Sequence, residues 1–162
     1  MRDQRFVAAH RGGPLDRESH TLLAHWAADC AERVLPLFVR HSVDDRPQRA
    51  LDIARMWARG DVETGVAMKA SAAAHAAARE ATDKAAIAAA RSAGHAVATA
   101  HFADHCMGAL LYAMKALEAS GEDARAALDR QLASLPLHLR NIVAKGVYAR
   151  LKPLGVLQSS DG

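Results

Sequence analysis

The stretch that decides the fold lies in the middle of the chain, where residues 67–100 read AMKASAAAHAAAREATDKAAIAAARSAGHAVATA. Alanine occupies 18 of these 34 positions. Alanine has the highest intrinsic helix propensity, and its short side chain lets neighbouring helix backbones approach closely. The stretch therefore predicts helices that pack against one another through a seam of small side chains.

The overall composition supports the same prediction, helices packed through small side chains, for the whole chain. At 162 residues the expected count is one domain, which is long enough to bury a sizeable core. Hydrophobic residues make up 51% of the chain but aromatic residues only 4%, so the core must be built from many small side chains. We predict a single-domain, all-α, multi-helix bundle of about six to seven helices with an alanine-rich core.

Helix start and stop signals divide the chain into segments. Asp16 is a good N-cap for a first helix, and Pro36 kinks or ends that helix. Residues 44–47, Asp-Asp-Arg-Pro, are a clear second start, and Gly60 is the matching stop.

These signals also give the expected organisation of the domain. They predict an irregular N-terminal arm over 1–15, a helical bundle over 16–152 and a loose C-terminal tail over 153–162, with Val156 and Leu157 as possible exceptions.

The helical pattern is unbroken over residues 84–119. A single helix of that length would span about 54 Å, at 1.5 Å per residue. A domain of this size has a radius of gyration of only about 15 Å. The helix must therefore break, and the sequence favours Gly94 as the place.

Charge and cysteine usage narrow the classes of function. The net charge is +3, and basic and acidic residues alternate without a concentrated basic stripe, so we expect no nucleic-acid partner. Cys30 and Cys106 predict two buried, reduced thiols. The N-terminus carries no secretion signal and no run is long enough to cross a membrane, so we expect a cytoplasmic protein.

Catalytic motifs are missing from the sequence. It contains no glycine-rich phosphate loop after a strand and no Gly-x-Ser-x-Gly, and neither cysteine has an activating motif beside it. We therefore predict that the protein is not an enzyme and needs no cofactor.

Histidines and aspartates at helical spacing raise the alternative of a metal-binding bundle. His101 and His105 are four residues apart, as are His25 and Asp29, so each pair shares a helix face and could bind one metal ion. The interpretation we favour is structural, because such histidines commonly form hydrogen bonds between helices. The full set of candidate ligands is His25, Asp29, His75, His95, His101 and His105.

The second helix carries a charged face that could contact a protein partner. Its arginines also have a simpler interpretation as a solvated helix surface, and its acids as helix caps. The candidate partner-binding residues are Asp44, Asp45, Arg46, Arg49, Arg55 and Arg59. Trp26 and Trp57 are expected to be core anchors, or binding hot spots if exposed.

Several segments together resemble a family of bacterial immunity proteins, the immunity-five-like group. The more specific ones are the run from Trp26 to Phe38 and the Asp45-Arg46-Pro47 helix start. The resemblance spans residues 5–150. Its other segments are 5–7, 11–13, 50–60, 74–79, 93–101, 104–105, 112–116 and 135–140.

This resemblance implies a protein that binds and neutralises a toxin, and it does not name the toxin. Two other hypotheses stay open at this point, the metal-binding bundle and a nucleic-acid binder that uses the arginines of 46–59. A helical bundle with an alanine seam could also form a two-fold homodimer.

Overall fold

Helices make up most of the structure, a computed structural model that describes residues 2–158. Two 3₁₀ turns, Gln4–Phe6 and Ala9–Arg11, come first. In the described range the helices are α1 (Arg17–Glu32), α2 (Leu35–Val39), α3 (Arg46–Ala58), α4 (Thr64–Glu80), α5 (Lys84–Ala98), α6 (His105–Ala119), α7 (Ala124–Ala133) and α8 (Leu137–Leu151). The all-α prediction is confirmed, with eight helices in residues 2–158 where six to seven were expected.

The additional helix is α2, and proline chemistry explains it. Helix α1 ends at Glu32, before Pro36, and Pro36 lies in the first turn of α2. Proline is tolerated in a first turn because its missing N–H would have no intrahelical partner there. The proline therefore ends one helix and starts the next.

The predicted helix starts at Asp16 and at residues 44–47, and the predicted stop at Gly60, are confirmed. The Asp16 carboxylate accepts a hydrogen bond from the backbone N–H of Ser19 at 2.7 Å, as an N-cap does. Helix α3 begins at Arg46, with Pro47 in its first turn. Gly60, which follows α3, has a φ of +83°, a left-handed conformation that favours glycine at a helix end.

The prediction that the long central stretch breaks at Gly94 is wrong. Gly94 lies inside α5, and the chain leaves the helix only after Ala98. The break takes six residues, 99–104, and several of its amide groups bond three residues back, as from Ala100 to Val97 and from His101 to Ala98. At the break, the imidazole Nε2 of His20 on α1 lies 2.6 Å from the carbonyl oxygen of Thr99.

The core is organised around α5. This helix packs against α1, α2, α3, α4 and α6, and 11 of its 15 residues are buried. A helix buried on nearly all sides needs apolar residues around its whole circumference, which the alanine-rich sequence supplies. Both tryptophans and both cysteines are buried as expected: Trp26, Trp57, Cys30 and Cys106.

The two ends of the chain lie against the bundle where the structure describes them. Phe6 of the N-terminal arm is buried, and so is Val156 near the other end. Residues 159–162 of the expected loose tail lie outside the described residues. The boundaries after 15 and 152 stay predictions. None of the helices between residues 2 and 158 is long and apolar enough to cross a membrane.

Candidate functional site

Most of the charged face of α3 is already engaged within the molecule. The Arg46 side chain donates three hydrogen bonds to the carboxylate of Asp44, one of them at 2.6 Å, and also donates to Glu80 at the end of α4. The bonds from Arg46 lower the pKa of the Asp44 carboxyl. Asp45 is exposed and sits at the N-cap position of α3 without a side-chain capping bond.

The next arginines, Arg55 within α3 and Arg59 directly after it, contact other acids. Arg55 lies 3.0 Å from an oxygen of Asp29 and 2.8 Å from an oxygen of Glu32, and both acids belong to α1. Arg59 pairs with Asp61 at 3.0 Å. These contacts hold the cationic groups in defined positions, which lowers the entropy cost of a further contact.

Arg49 differs from the other arginines of α3. It is exposed, and no ion pair involves it within residues 2–158. It borders a groove of about 380 Å³ between α3 and α4. We call this feature the α3–α4 groove, and the residues that line it are Arg46, Arg49 and Ile53 from α3 and Val66, Lys69, Ala70 and Ala73 from α4.

Sequence reasoning found the α3 side of this groove and missed the α4 side. Positions 66, 69, 70 and 73 have the spacing of a single helix face, which is a signal visible in the sequence. That signal is weak here, because almost every face of an alanine-rich helix has the same composition. Solvent exposure in the structure distinguishes the groove face of α4 from its buried faces, since Val66 on the groove face is 43% exposed.

A row of histidines joins the three central helices. His75 on α4, His95 on α5 and His105 on α6 follow one another, with ring centroids 5.2 Å and then 5.5 Å apart. The Nδ1 atoms of His95 and His105 are 3.4 Å apart. The ring of Tyr112 stacks on that of His95, with centroids 5.1 Å apart.

The electrostatics of this row favour neutral rings. Burial, followed by the neighbouring His75 and His105, lowers the pKa of His95 to about 4. Burial is also the main cause that lowers the pKa of His75 and of His105. The rings are therefore uncharged at neutral pH and act as packing and hydrogen-bonding groups.

The six candidate metal ligands divide among separate places. His75, His95 and His105 form the row, whereas His25 is half-buried on α1 and Asp29 is an ion-pair partner of Arg55. Across residues 2–158, no group of three or more histidine, cysteine, aspartate or glutamate side chains has the arrangement of metal ligands.

His101 lies in a different cluster, at the break between α5 and α6. Its ring is 4.2 Å from that of Phe102, and its Nδ1 atom is 3.4 Å from a guanidinium nitrogen of Arg11. The guanidinium of Arg2 lies 3.7 Å from the Phe102 ring centroid, and that of Arg11 lies 4.4 Å from it. Nothing in the sequence indicates this cluster, because it joins residues about ninety positions apart.

Comparison with known proteins gives one family. No curated protein and no solved structure matches the chain significantly. A family model described as "Imm-5 like putative immunity protein" matches residues 13–138, which is most of the chain and includes helices α1 to α7. The resemblance read from the sequence is therefore confirmed, and the chain belongs to the Imm-5 like family of immunity proteins.

Proposed function

We propose that this protein is a non-enzymatic immunity protein of a bacterium, which binds a protein toxin in the cytoplasm and thereby neutralises it. The observation that carries the proposal is its membership of the immunity-protein family over residues 13–138. Immunity by binding needs a surface that complements the toxin, and it needs no catalytic group in the immunity protein itself.

The charged face of α3 supports this proposal as a binding surface. The candidate residues are Asp44, Asp45, Arg46, Arg49, Arg55 and Arg59. Arg46 and Arg49 lie toward α4, and Arg55 lies toward α1. Surface charges of this kind raise the rate of association with a partner of complementary charge and disfavour other partners. Because internal ion pairs already orient most of these side chains, little side-chain entropy is lost when a toxin contacts them.

Co-expression in a bacterial host tests the proposal. Each toxin encoded beside the gene is induced with and without this protein, and growth and complex formation are measured. We expect growth to be restored for one toxin, together with a complex that survives gel filtration. If no neighbouring toxin is bound or neutralised, the proposal fails.

The oligomeric state of the free protein is tested separately. A two-fold homodimer of this chain stays a prediction, and light scattering on the free protein measures it directly. A monomeric mass for the free protein would remove the dimer and leave the proposed function intact.

A further inference from the structure

We propose that the α3–α4 groove is the part of the surface that receives the toxin, and that it takes an aliphatic side chain carried by an acidic segment. This inference rests on the proposed function and names the chemistry of the partner. It is carried by the shape of the groove, by the apolar character of its floor and by the charge of its rim.

The groove exists because longer side chains form its walls and the short side chains of alanines form its floor. Ile53 on α3 and Val66 on α4 form apolar walls, and the short side chains of Ala70 and Ala73 leave the space between them open. Its volume of about 380 Å³ falls within the range of ligand pockets, roughly 300–1,000 Å³. An aliphatic side chain placed there would remove exposed apolar surface, including that of Val66, from water.

All three charged residues on the rim are cationic. Arg46, Arg49 and Lys69 line the groove, and no aspartate or glutamate is among its lining residues. Arg46 is paired with Asp44 and Glu80, whereas Arg49 and Lys69 have no ion-pair partner in residues 2–158. Carboxylates flanking the buried side chain would meet these two free charges, and an acidic segment therefore fits better than a neutral or a basic one.

A protein segment fits this surface better than a nucleic acid does. Nucleic-acid affinity comes from many unpaired cations that contact phosphates. Here Arg46, Arg55 and Arg59 are already paired with acids, and the groove floor is apolar. Two free cations around an apolar floor match a short acidic stretch with an aliphatic anchor.

Peptide titrations of the full chain test the groove without knowledge of the toxin. The probes are the pentapeptide Glu-Glu-Leu-Glu-Glu, its glycine version Glu-Glu-Gly-Glu-Glu, and Lys-Lys-Leu-Lys-Lys. Backbone amide signals of the ¹⁵N-labelled protein are followed. We expect saturable shifts centred on Ile53, Val66 and Ala73 with the acidic leucine peptide and about tenfold weaker binding of the other two.

Two pairs of variants sharpen the test. Ala73→Leu fills the groove, and Ala72→Leu places the same side chain on an exposed position of the same helix. Lys69→Glu reverses a rim charge, and Lys145→Glu reverses an exposed charge on α8. We expect Ala73→Leu and Lys69→Glu each to raise the Kd of the leucine peptide about tenfold and both controls to leave it unchanged.

Three results would overturn the inference. They are the absence of saturable shifts at the groove, equal effects of a variant and its control, and displacement of the leucine peptide from the groove by single-stranded oligothymidine. Circular dichroism of each variant establishes that it is folded.

The same variants separate this inference from the proposed function. If the wild-type protein and Ala73→Leu neutralise the toxin equally, the groove is not the binding site although the protein is an immunity protein. If the wild-type protein neutralises no neighbouring toxin, the proposed function fails, and the peptide titration still reports whether the groove binds an acidic segment.

Discussion

The imidazole of His75 on α4 occupies the space that a side chain on Gly94 of α5 would need. A Cβ atom on Gly94 would lie 2.6 Å from the Nε2 atom of His75. The same arrangement recurs one helix further on, where a Cβ atom on Gly108 of α6 would lie 2.6 Å from the Nδ1 atom of His95. Each glycine in this pair therefore makes room for a histidine of the neighbouring helix.

The first prediction concerns this contact between Gly94 and His75. Gly94→Ala forces the imidazole out of its position, so we expect the free energy of unfolding to fall by about 1–2 kcal/mol despite the better helix propensity of alanine. Urea unfolding followed by circular dichroism measures the change. Gly65→Ala on α4 is the matched control, because its Cβ would meet no atom within 4 Å.

Removal of the histidine should reverse the sign of the effect. In a His75→Ala background the space beside Gly94 is empty, and Gly94→Ala should then raise the free energy of unfolding by about 0.5–1 kcal/mol. A double-mutant cycle gives the coupling between the two positions. If Gly94→Ala has the same effect in both backgrounds, the contact with His75 does not explain why position 94 is glycine.

This contact also explains why the helix break could not be placed from the sequence. Glycine is a poor helix former, so a local reading puts the break at Gly94. The structure uses Gly94 for close packing and breaks the helix after Ala98, where His20 of α1 contacts the Thr99 carbonyl. That partner is 79 residues away along the chain. The length argument predicted that a break exists, and tertiary contacts decide where it is.

The second prediction is a loss of stability in weak acid. In the unfolded chain a histidine has a pKa of about 6.5, whereas in the folded protein the pKa of His95 is about 4. Between these values the unfolded chain binds more protons, so the free energy of unfolding is greatest above about pH 6.5 and falls as the pH decreases toward 4.

The expected loss in the free energy of unfolding follows from the lowered pKa of His95. His95 alone contributes about 3 kcal/mol to this loss, and its neighbours His75 and His105 add to it, because burial lowers the pKa of both. The other groups near the row are Tyr112 and Arg91, together with Arg79 beside His75 and Asp104, Arg2 and His101 beside His105. Urea unfolding at a series of pH values measures the effect.

A substitution at the centre of the row tests the assignment. His95→Gln should reduce the slope of stability against pH by about 1.4 kcal/mol per unit near pH 5, which corresponds to one proton. His10→Gln changes an exposed histidine on the N-terminal arm and is the control. An unchanged slope in His95→Gln would mean that the acid sensitivity comes from other groups.

The candidate site was also predictable only in part, because tertiary packing decides which residues of a helix are exposed. The α3 residues stood out because residues 44–47 form a start signal and charges repeat along the helix that follows. The α4 side of the groove did not stand out, since exposed and buried alanines look alike in a sequence. Ala73 lines the groove and Ala74 is fully buried, although they are adjacent.

The third prediction is that neither cysteine reacts in the folded protein. Cys30 and Cys106 are both buried, and burial raises the pKa of both thiols. The thiolate is the reactive form, so both raised pKa values and lack of access oppose reaction. With DTNB at about pH 8 we expect no labelling of the native protein and two thiols per chain in concentrated urea. Rapid labelling of either thiol without denaturant would contradict the burial of the two cysteines.

The last prediction compares the two tryptophans, which are equally buried but donate to different kinds of acceptor. The Nε1 atom of Trp26 donates to the backbone carbonyl of Gln131 on α7 at 2.8 Å, in a buried contact that joins α1 to α7. The Nε1 atom of Trp57 donates to the hydroxyl of Thr64 at 3.1 Å, and Thr64 is half-exposed.

Replacement by phenylalanine removes both hydrogen bonds. The Gln131 carbonyl keeps a hydrogen bond from the Ser134 hydroxyl at 2.7 Å, but the bond lost from Trp26 is buried, whereas water can replace the bond lost at the half-exposed Thr64. We therefore expect Trp26→Phe to lower the free energy of unfolding by about 2–3 kcal/mol and Trp57→Phe by about 1–2 kcal/mol. Urea unfolding of the two variants under one set of conditions measures both values. Equal losses would show that packing volume alone, which the two substitutions change alike, decides the stability, and that the buried bond between α1 and α7 adds nothing to it.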